Sequence, residues 1–323
     1  MKPQVLVTRQ IPEKALNVLK ENCEVDLNEP DQTFTAEELK ARLQGKVGMV
    51  CLITDKISES ILEAGRDLKV VANVAVGYDN IDLKAATRRK IMVTNTPGVL
   101  TETTADLAWA LILAIGRRIV EGDRYVRAHR WKEWGLQLFL GSDIHGKTLG
   151  ILGMGRIGQA VAKRGLGFGM RILYHNRHRL SEEIEKEYRA TYVDKETLLR
   201  EADFLSIHVP LNAETTHAIS AKDLSLMKPT AYLINTARGP IVHERNLIEA
   251  LRTGRIAGAG LDVFEEEPKV PEELMELENI VLLPHVGSAS VETRTKMALM
   301  AAENLVVAVA GERPPNLINP EVL

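Results

Sequence analysis

The sequence predicts an α/β protein made of two doubly wound parallel-sheet domains, and three observations support this prediction. Short apolar runs typical of strands alternate with amphipathic helices along nearly the whole chain, a pattern that gives parallel sheets covered by helices on both faces. A glycine-rich turn joins one strand directly to a helix near the middle of the chain. With 323 residues, the chain is long enough for about two domains of ordinary size.

The composition is that of a globular protein without an unusual charge balance. The hydrophobic share is 45%, the charged share is 26% and the net charge is −3, so nothing favours binding to nucleic acid or to an anionic membrane. The longest apolar stretch, residues 107–115, is much shorter than the roughly 20 residues that a membrane-spanning helix needs. The N-terminus lacks the apolar region of a secretory signal, and Cys23 and Cys51 have no metal-ligand spacing. We therefore expect a cytoplasmic protein with reduced thiols and no metal site.

The first ninety-odd residues predict one α/β unit. Helices are expected to begin near Pro12, Thr35, Ser58 and Asp82. Thr35 is a good helix cap, because acidic residues follow it near the positive end of the helix dipole. The expected strands of this unit are residues 5–7, 23–27, 47–53, 70–74 and 91–94.

A long helix and a polar, aromatic loop follow this unit. The sequence predicts one helix from Glu102 to Val120 with an apolar stripe, and then a loop that carries Trp131 and Trp134. One interpretation is a hinge helix with an ordinary surface loop. The other is a homodimer interface formed by the helix and the tryptophan loop, because exposed aromatic residues beside an apolar helix tend to be covered by a partner.

The glycine-rich turn has the order strand, G-x-G-x-x-G, helix. Gly153 permits a tight turn, Gly155 lets the backbone approach a pyrophosphate, and Gly158 lets the helix pack closely on the strand. The helix N-terminus, with Arg156 and Ile157 in its first turn, attracts phosphate charge through its amides and its dipole. Because the flanking strand and helix are both present, we interpret the motif as a dinucleotide-binding loop.

Three polar stretches follow strands of the second unit, at the strand ends where ligands of open α/β sheets bind. They contain Arg238, the acidic run from Glu265 to Glu267, and His285. Taken singly, each has an ordinary structural interpretation, namely a surface arginine, a solvated acidic face and a structural histidine. The expected elements of this unit are strands at 171–174, 204–208, 231–234, 257–261 and 280–283, and the chain closes with a helix at 291–310.

Together these stretches resemble the D-isomer-specific 2-hydroxyacid dehydrogenase family over nearly the whole chain, and the glyoxylate/hydroxypyruvate reductases most of all. The resemblance also includes residues 73–82, 152–158 and 208–211. It implies a flavodoxin-like, discontinuous substrate-binding domain and a Rossmann dinucleotide-binding domain. The implied boundaries place residues 1–98 and 286–323 in the first domain and residues 99–285 in the second.

The resemblance implies that Arg238, Glu267 and His285 are the catalytic residues. The implied reaction is the reduction of glyoxylate or hydroxypyruvate to the D-2-hydroxy acid by hydride from a nicotinamide. Negative charge then develops on the carbonyl oxygen, and an imidazolium can donate a proton there near neutral pH. A neighbouring carboxylate favours the charged imidazolium, and the planar donors of an arginine can hold the substrate carboxylate and carbonyl oxygen.

Further binding residues are implied by the resemblance alone. The backbone amides of Val76 and Gly77 are expected to hold the substrate carboxylate from the first domain, and Leu52 is expected to contact the substrate. Asp262 is expected to face the nicotinamide carboxamide. The remaining expected cofactor contacts are Val209, Pro210, Thr236, Ala237 and Arg238.

The end of the strand after the glycine loop indicates which cofactor is used. NAD enzymes usually place an acidic residue about 20 residues after this loop, where it binds the ribose 2′-hydroxyl. Here Asn176 stands 18 residues after Gly158 and is followed by Arg177, His178 and Arg179. Arginines suit a 2′-phosphate, which favours NADP(H). The alternative is that these are ordinary surface bases and that NAD(H) is used as well.

Two other functions are compatible with the sequence. One is another D-2-hydroxyacid dehydrogenase, acting on D-lactate or D-3-phosphoglycerate. Residues 52–54 and 75–77 offer none of the basic side chains that a phosphorylated substrate would need. The other is a dinucleotide-sensing interaction module similar to corepressors of this fold. Those proteins carry extended tails, whereas this chain ends about a dozen residues after Gly311.

Overall fold

The computed structural model describes residues 2–323, which form two compact units. Unit 1 comprises residues 2–100 and Ser288–Leu323, and unit 2 comprises Thr101–Gly287. Each boundary lies two residues beyond the predicted positions 98 and 285. Unit 1 is discontinuous in sequence, because the C-terminal segment belongs to it.

The secondary structure consists of short strands and mostly short helices. In chain order the strands are β1 (Gln4–Val7), β2 (Glu24–Leu27), β3 (Gly48–Cys51), β4 (Val70–Asn73), β5 (Met92–Thr94), β6 (Thr148–Leu152), β7 (Arg171–His175), β8 (Ala190–Tyr192), β9 (Phe204–Ile207), β10 (Tyr232–Asn235), β11 (Gly258–Leu261) and β12 (Ile280–Leu282). The α-helices are α1 (Glu13–Asn22), α2 (Ala36–Arg42), α3 (Glu59–Ala64), α4 (Leu83–Arg88), α5 (Thr101–Gly116), α6 (Ile119–Arg127), α7 (Arg156–Gly167), α8 (Glu182–Glu187), α9 (Lys195–Glu201), α10 (Ala221–Leu226), α11 (Glu244–Arg252), α12 (Glu272–Met275) and α13 (Val291–Val309). Short 3₁₀ helices lie at Gly239–Ile241 and Pro320–Val322.

Unit 1 is built on a five-stranded parallel sheet with the strand order β2-β1-β3-β4-β5, which is the flavodoxin-like arrangement. Successive residues of a strand point to opposite faces of the sheet. Val5 and Val7 of β1 therefore pack with α1 and α13, whereas Leu6 packs with α2, α3 and α4. Helices cover both faces of this sheet, as the alternation of strands and helices predicts.

Unit 2 is built on a seven-stranded parallel sheet with the order β12-β11-β10-β9-β6-β7-β8. β6 pairs with β7 on one side and with β9 on the other, so the strand order reverses beside β6, where doubly wound sheets bind their ligands. The two sheets confirm the predicted fold class. The sequence does not predict β8, because the three residues Ala190–Tyr192 are too few to show an alternating pattern.

The prediction of one helix from Glu102 to Val120 is wrong. α5 ends at Gly116, and Arg118 has a φ of 53° in the left-handed region, which separates α5 from α6. Leu111 and Ile115, on the apolar stripe of α5, are buried in the core of unit 2, and a Cβ atom at Gly260 would lie 3.0 Å from Leu111. α5 also contains the longest apolar stretch. No helix among residues 2–323 is long and apolar enough to cross a membrane.

Candidate active site

The glycine loop connects the buried end of β6 to the N-terminus of α7. Gly153 has a φ of 97°, and a Cβ atom there would lie 2.6 Å from the backbone nitrogen of Val209. A Cβ atom at Gly158 would lie 2.5 Å from the carbonyl oxygen of Gly153. Beyond Gly155 and its two chain neighbours, no atom of residues 2–323 lies within 4 Å of the same position at Gly155. The first and third glycines are therefore required by close packing, while the second leaves open space before Arg156 and Ile157, the first residues of α7.

Asn176 joins the end of β7 to this loop, since its Oδ1 accepts the N–H of Met154 at 2.6 Å. Arg177, the next residue, forms an ion pair with Glu214 at 3.0 Å, with side chains 73% and 71% exposed. An exposed pair of this kind contributes little to stability, so the guanidinium of Arg177 can readily exchange Glu214 for a ligand. The neighbouring His178 is exposed as well.

Arg179 is held more firmly than Arg177. Its Nε and Nη2 donate to the two carboxylate oxygens of Glu185 at 2.9 and 2.8 Å, and the hydroxyl of Tyr174 donates to the same carboxylate at 2.7 Å. The hydrogen bonds from Arg179 and then Tyr174 lower the pKa of Glu185 to about 2. Arg177 is thus the more available of the two arginines that the sequence assigns to a 2′-phosphate.

Asn235, at the end of β10, shapes the loop that carries Arg238. Its buried side chain donates from Nδ2 to the carbonyl oxygen of Arg238 at 2.9 Å and accepts the N–H of Ala237 at 3.0 Å. A Cβ atom at Gly239 would lie 1.9 Å from the carbonyl carbon of Phe264, so glycine is required where the arginine loop meets the loop after β11. Asn235 is absent from the predicted site, although its place directly after an apolar run marks it.

The structure brings His285 and Glu267 together. Nδ1 of His285 lies 2.7 Å from Oε2 of Glu267, and the two side chains are 31% and 32% exposed. Oε1 of Glu267 accepts the N–H of Phe264 at 3.0 Å. Burial acts to raise the pKa of Glu267, but the hydrogen bond and charge of His285, the Phe264 amide and the charge of Arg238 together lower this pKa below its ordinary value. The carboxylate is therefore ionised. Because Nδ1 of His285 faces Glu267, Nε2 is the ring nitrogen that can contact a substrate.

The backbone at His285 has a φ of 54°, which is uncommon for a residue other than glycine. Asp262 holds residues 285–287 in place by accepting hydrogen bonds from their N–H groups. Its carbonyl oxygen accepts the N–H of His285 at 2.9 Å, and its two carboxylate oxygens accept the N–H groups of Val286 and Gly287 at 2.7 and 2.8 Å. The contact of Asp262 with a nicotinamide carboxamide stays a prediction. Its hydrogen bonds to the loop that carries His285 are present in the structure.

A partly buried histidine that the predicted site lacks lies directly after β9. The N–H of His208 donates to the carbonyl oxygen of Leu152 at 2.8 Å, which places His208 and the predicted cofactor residues Val209 and Pro210 beside the glycine loop. Burial lowers the pKa of His208 to about 4, so this side chain is neutral at physiological pH. Its Nε2 lies 2.8 Å from the hydroxyl of Ser206, and its role here is structural.

The predicted cofactor residues at the end of β10 include an unpaired polar group. The hydroxyl of Thr236, next to Ala237, is buried and has no hydrogen-bond partner within residues 2–323. A buried hydroxyl without a partner costs free energy, so a ligand that pairs with it would be stabilised. Together with the open space at Gly155, this hydroxyl fits a nucleotide bound at the strand ends of unit 2.

The predicted substrate residues of unit 1 lie in the loops after β3 and β4. Leu52 directly follows β3, and its N–H donates to Oδ2 of Asp55 at 2.8 Å. Val76 and Gly77 follow β4 and are partly buried. Their carbonyl oxygens accept hydrogen bonds from asparagine side chains of the same unit. Their contact with a substrate stays a prediction.

Comparison with known proteins agrees with this arrangement. The model of the NAD-binding domain of D-isomer-specific 2-hydroxyacid dehydrogenases matches residues 109–287. The glyoxylate reductases of Thermococcus litoralis and Korarchaeum cryptofilum are 53% and 54% identical to the chain, and the alignments cover 100% of it and 98% of each relative. A solved structure of the NADPH-dependent glyoxylate/hydroxypyruvate reductase of Sinorhizobium meliloti, in complex with NADP and malonate, is 36% identical. Its TM-score is 0.90, and the match covers 100% of this chain and 98% of that one.

The family match includes the functional features described above. The matched segment, residues 109–287, spans more than half of the chain and contains the glycine loop, Arg238, Glu267 and His285. The relatives extend the similarity to the whole chain, including unit 1. The chain belongs to the D-isomer-specific 2-hydroxyacid dehydrogenase family.

Proposed function

We propose that this chain reduces glyoxylate or hydroxypyruvate to the D-2-hydroxy acid, glycolate or D-glycerate, with NAD(P)H as the hydride donor. The observation that carries the proposal is the 2.7 Å hydrogen bond between His285 and Glu267, which gives the proton donor a carboxylate partner. The glyoxylate reductases that share 53% and 54% of its sequence over its full length support the choice of substrate.

The residues of unit 2 fit a nicotinamide dinucleotide. The amides at the N-terminus of α7 and the open space at Gly155 would hold its pyrophosphate. The buried hydroxyl of Thr236 and the backbone at Val209 and Pro210 would line the rest of the site. When bound, the reduced nicotinamide supplies the hydride that the carbonyl carbon of the substrate accepts.

The side chains of the chain supply the rest of the chemistry. Arg238 holds the substrate carboxylate and carbonyl oxygen through its planar donors. The imidazolium of His285 donates its Nε2 proton to the carbonyl oxygen as the carbonyl carbon gains the hydride. The products are an alcohol and a neutral imidazole, which solvent then protonates again. Glu267 stabilises the imidazolium before the transfer, because its ionised carboxylate faces Nδ1.

We predict that His285→Ala lowers kcat by about 10²–10⁴-fold, the usual contribution of a general acid, while NADPH binding stays nearly unchanged. Steady-state turnover of glyoxylate and a fluorescence titration with NADPH measure the two effects. His145→Ala is the control, because that histidine lies in the same unit with its side chain 79% exposed and has no place in the mechanism. Near-normal turnover by His285→Ala would remove this residue from the reaction.

We further propose that the chain prefers NADPH to NADH. No acidic residue lies among residues 176–181, which directly follow β7, and the side chain of Arg177 is 73% exposed in a pair with Glu214 that a phosphate can displace. The S. meliloti reductase, which has NADP bound in its structure, supports the same preference.

Arg177→Ala tests this preference. A hydrogen bond to a charged group contributes roughly 1.5–3 kcal/mol, so the variant should bind NADPH ~10–150-fold more weakly, at about 1.4 kcal/mol per decade. NADH lacks the 2′-phosphate and should be unaffected. Adding Asn176→Asp should reverse the preference, because a carboxylate repels the phosphate and accepts from a free ribose hydroxyl. The measurement is kcat/KM for both cofactors at one fixed 2-oxo acid.

Arg200→Ala is the matched control for this experiment, because Arg200 also forms an exposed pair, with Glu196 at 2.8 Å. It should leave both cofactors unchanged. An equal loss for NADPH and NADH in Arg177→Ala would mean that the arginine supports the fold and does not bind the phosphate. A wild-type preference for NADH would contradict the proposal directly.

The surface of residues 119–140 supports the proposal that two copies of the chain form a homodimer. No residue within Ile119–Arg127 is buried. Exposed apolar and aromatic side chains grouped in one segment are typical of a surface that a partner covers. α5, the other part of the predicted interface, buries one face within unit 2 and leaves residues such as Ala110 exposed. The large apolar side chains exposed in this segment, by 39–78%, are Ile119, Val126, Trp131, Trp134, Leu136, Leu138 and Leu140.

Analytical ultracentrifugation at micromolar concentration tests the homodimer. The sedimentation of the wild-type protein should give a mass twice that of the 35.8 kDa chain. The double variant Trp134→Ser, Leu136→Ser should sediment as a monomer. Met275→Ser is the control, because Met275 is also apolar and 57% exposed but lies outside residues 119–140. A monomeric wild-type protein would exclude this interface.

We also propose a cytoplasmic location. Cys23 and Cys51 are buried and form no disulfide, which is the usual state of cysteines in a reducing compartment.

A further inference from the structure

Three asparagine side chains of unit 1 converge on the loops that hold the predicted substrate residues. Asn73, the last residue of β4, is fully buried. Its Nδ2 donates to the carbonyl oxygen of Gly77 at 2.9 Å and to Oδ1 of Asn80 at 3.1 Å. Nδ2 of Asn95 donates to the carbonyl oxygen of Val76 at 2.8 Å. In each case the acceptor is an oxygen, which fixes the orientation of the donating amide group.

Three successive carbonyl groups are bound in this way. The carbonyl oxygen of Ala75, which precedes the two already described, accepts the N–H of Thr96 at 2.9 Å. The carbonyl groups of residues 75, 76 and 77 therefore all point to donors that belong to unit 1. None of these donors is charged, so the loop is held by hydrogen bonds alone.

The same hydrogen bonds determine where three N–H groups point. The C=O and N–H of a trans peptide point in opposite directions, so the N–H groups of Val76, Gly77 and Tyr78 are turned away from the donors that hold the preceding carbonyls. Within residues 2–323, no protein group accepts a hydrogen bond from any of these three amides. Successive N–H groups without protein acceptors form a binding site for an anion.

Asn80 extends this arrangement to the loop after β3. Its Nδ2 donates to the carbonyl oxygens of Leu52 and Asp55, both at 3.1 Å, while its Oδ1 accepts from Asn73. Asn73 and Asn80 therefore hold the Leu52 loop and the Val76–Tyr78 segment in one fixed arrangement.

We propose that Asn73, Asn80 and Asn95 are positioning residues, which hold the amides of Val76–Tyr78 in place as a binding site for the carboxylate of the 2-oxo acid. The inference rests on the proposed function, because the reduction of glyoxylate supplies the carboxylate that the amides bind. Its physical basis is preorganisation. A loop whose carbonyl groups are already bound need not reorganise when the anion arrives.

Substitution of Asn95 tests the inference. Asn95→Ala should raise KM for glyoxylate by about 10–100-fold, with a smaller effect on kcat and none on the KM for NADPH, because one amide loses its fixed direction. Asn95→Asp keeps the size of the side chain but replaces the donor with an acceptor that repels the Val76 carbonyl, so its effect should be larger. Asn73→Ala should act in the same direction.

Asn319→Ala is the matched control, because Asn319 is as deeply buried as Asn73. It binds the backbone of Ile91 and Val93 at 2.9 and 2.8 Å and contacts none of residues 75–78. It should lower the melting temperature without changing KM for glyoxylate. A melting temperature for each variant separates loss of stability from loss of substrate binding. If Asn95→Ala and Asn73→Ala fold and keep the wild-type KM, or if Asn319→Ala raises KM as much as they do, the inference is wrong.

Calorimetric binding of oxalate to the protein saturated with NADP⁺ separates this inference from the proposed function. Oxalate has two carboxylates and accepts no hydride, so its affinity reports on the amides even if glyoxylate is not the substrate. Wild-type protein that binds oxalate about tenfold or more tightly than Asn95→Ala supports the inference whether or not glyoxylate is reduced. Equal affinities in the two proteins would overturn it. Failure of the wild-type protein to reduce any 2-oxo acid would instead refute the proposed function.

Discussion

The conformation of the loop that carries His285, in unit 2, depends on one buried carboxylate. Asp262 is 1% exposed, and both its oxygens accept backbone N–H groups, from Val286 and from Gly287. Burial raises the pKa of Asp262, against the effect of these amides and of the His285 charge. The backbone of His285 adopts a left-handed conformation, with φ 54°, which persists only where surrounding contacts determine it. Asp262 supplies those contacts on the C-terminal side of His285.

The remaining proposed catalytic groups are positioned by similar short-range contacts between strand-end loops. Gly239 lets the arginine loop lie against Phe264, and the N–H of Phe264 in turn binds Oε1 of Glu267. The pKa of Glu267 is lowered in the folded protein. Its contribution to stability is therefore present above its unfolded pKa and is lost as the pH falls through its folded pKa. The charge of this carboxylate thus supports the fold of the loop, and the carboxylate faces Nδ1 of His285 at 2.7 Å.

Features that backbone geometry imposes on the sequence could be predicted, and features set by tertiary contacts could not. The glycine loop was predictable, because Gly153 and Gly158 are required by close approach and leave a trace in the sequence. His285 and Glu267 are separated by 18 residues in the chain, so only the family resemblance assigns them to one site. Asn73 and Asn235 were missed, because a buried asparagine that binds backbone groups resembles an ordinary loop residue in sequence. The break at Arg118 was missed as well, since apolar residues continue beyond Gly116 to Ile119 and Val120 and the residue with the left-handed backbone is an arginine.

The central proposal is that Glu267 acts as the carboxylate partner of the proton donor His285, and the pH dependence of glyoxylate reduction tests it most directly. In Glu267→Gln the alkaline limb of the kcat/KM profile should move to lower pH, because the imidazolium loses its carboxylate partner. Glu266→Gln removes the same charge from the exposed neighbouring residue, and its limb should coincide with that of the wild-type protein. An alkaline limb that stays in place in Glu267→Gln, or that moves equally in both variants, would contradict the account.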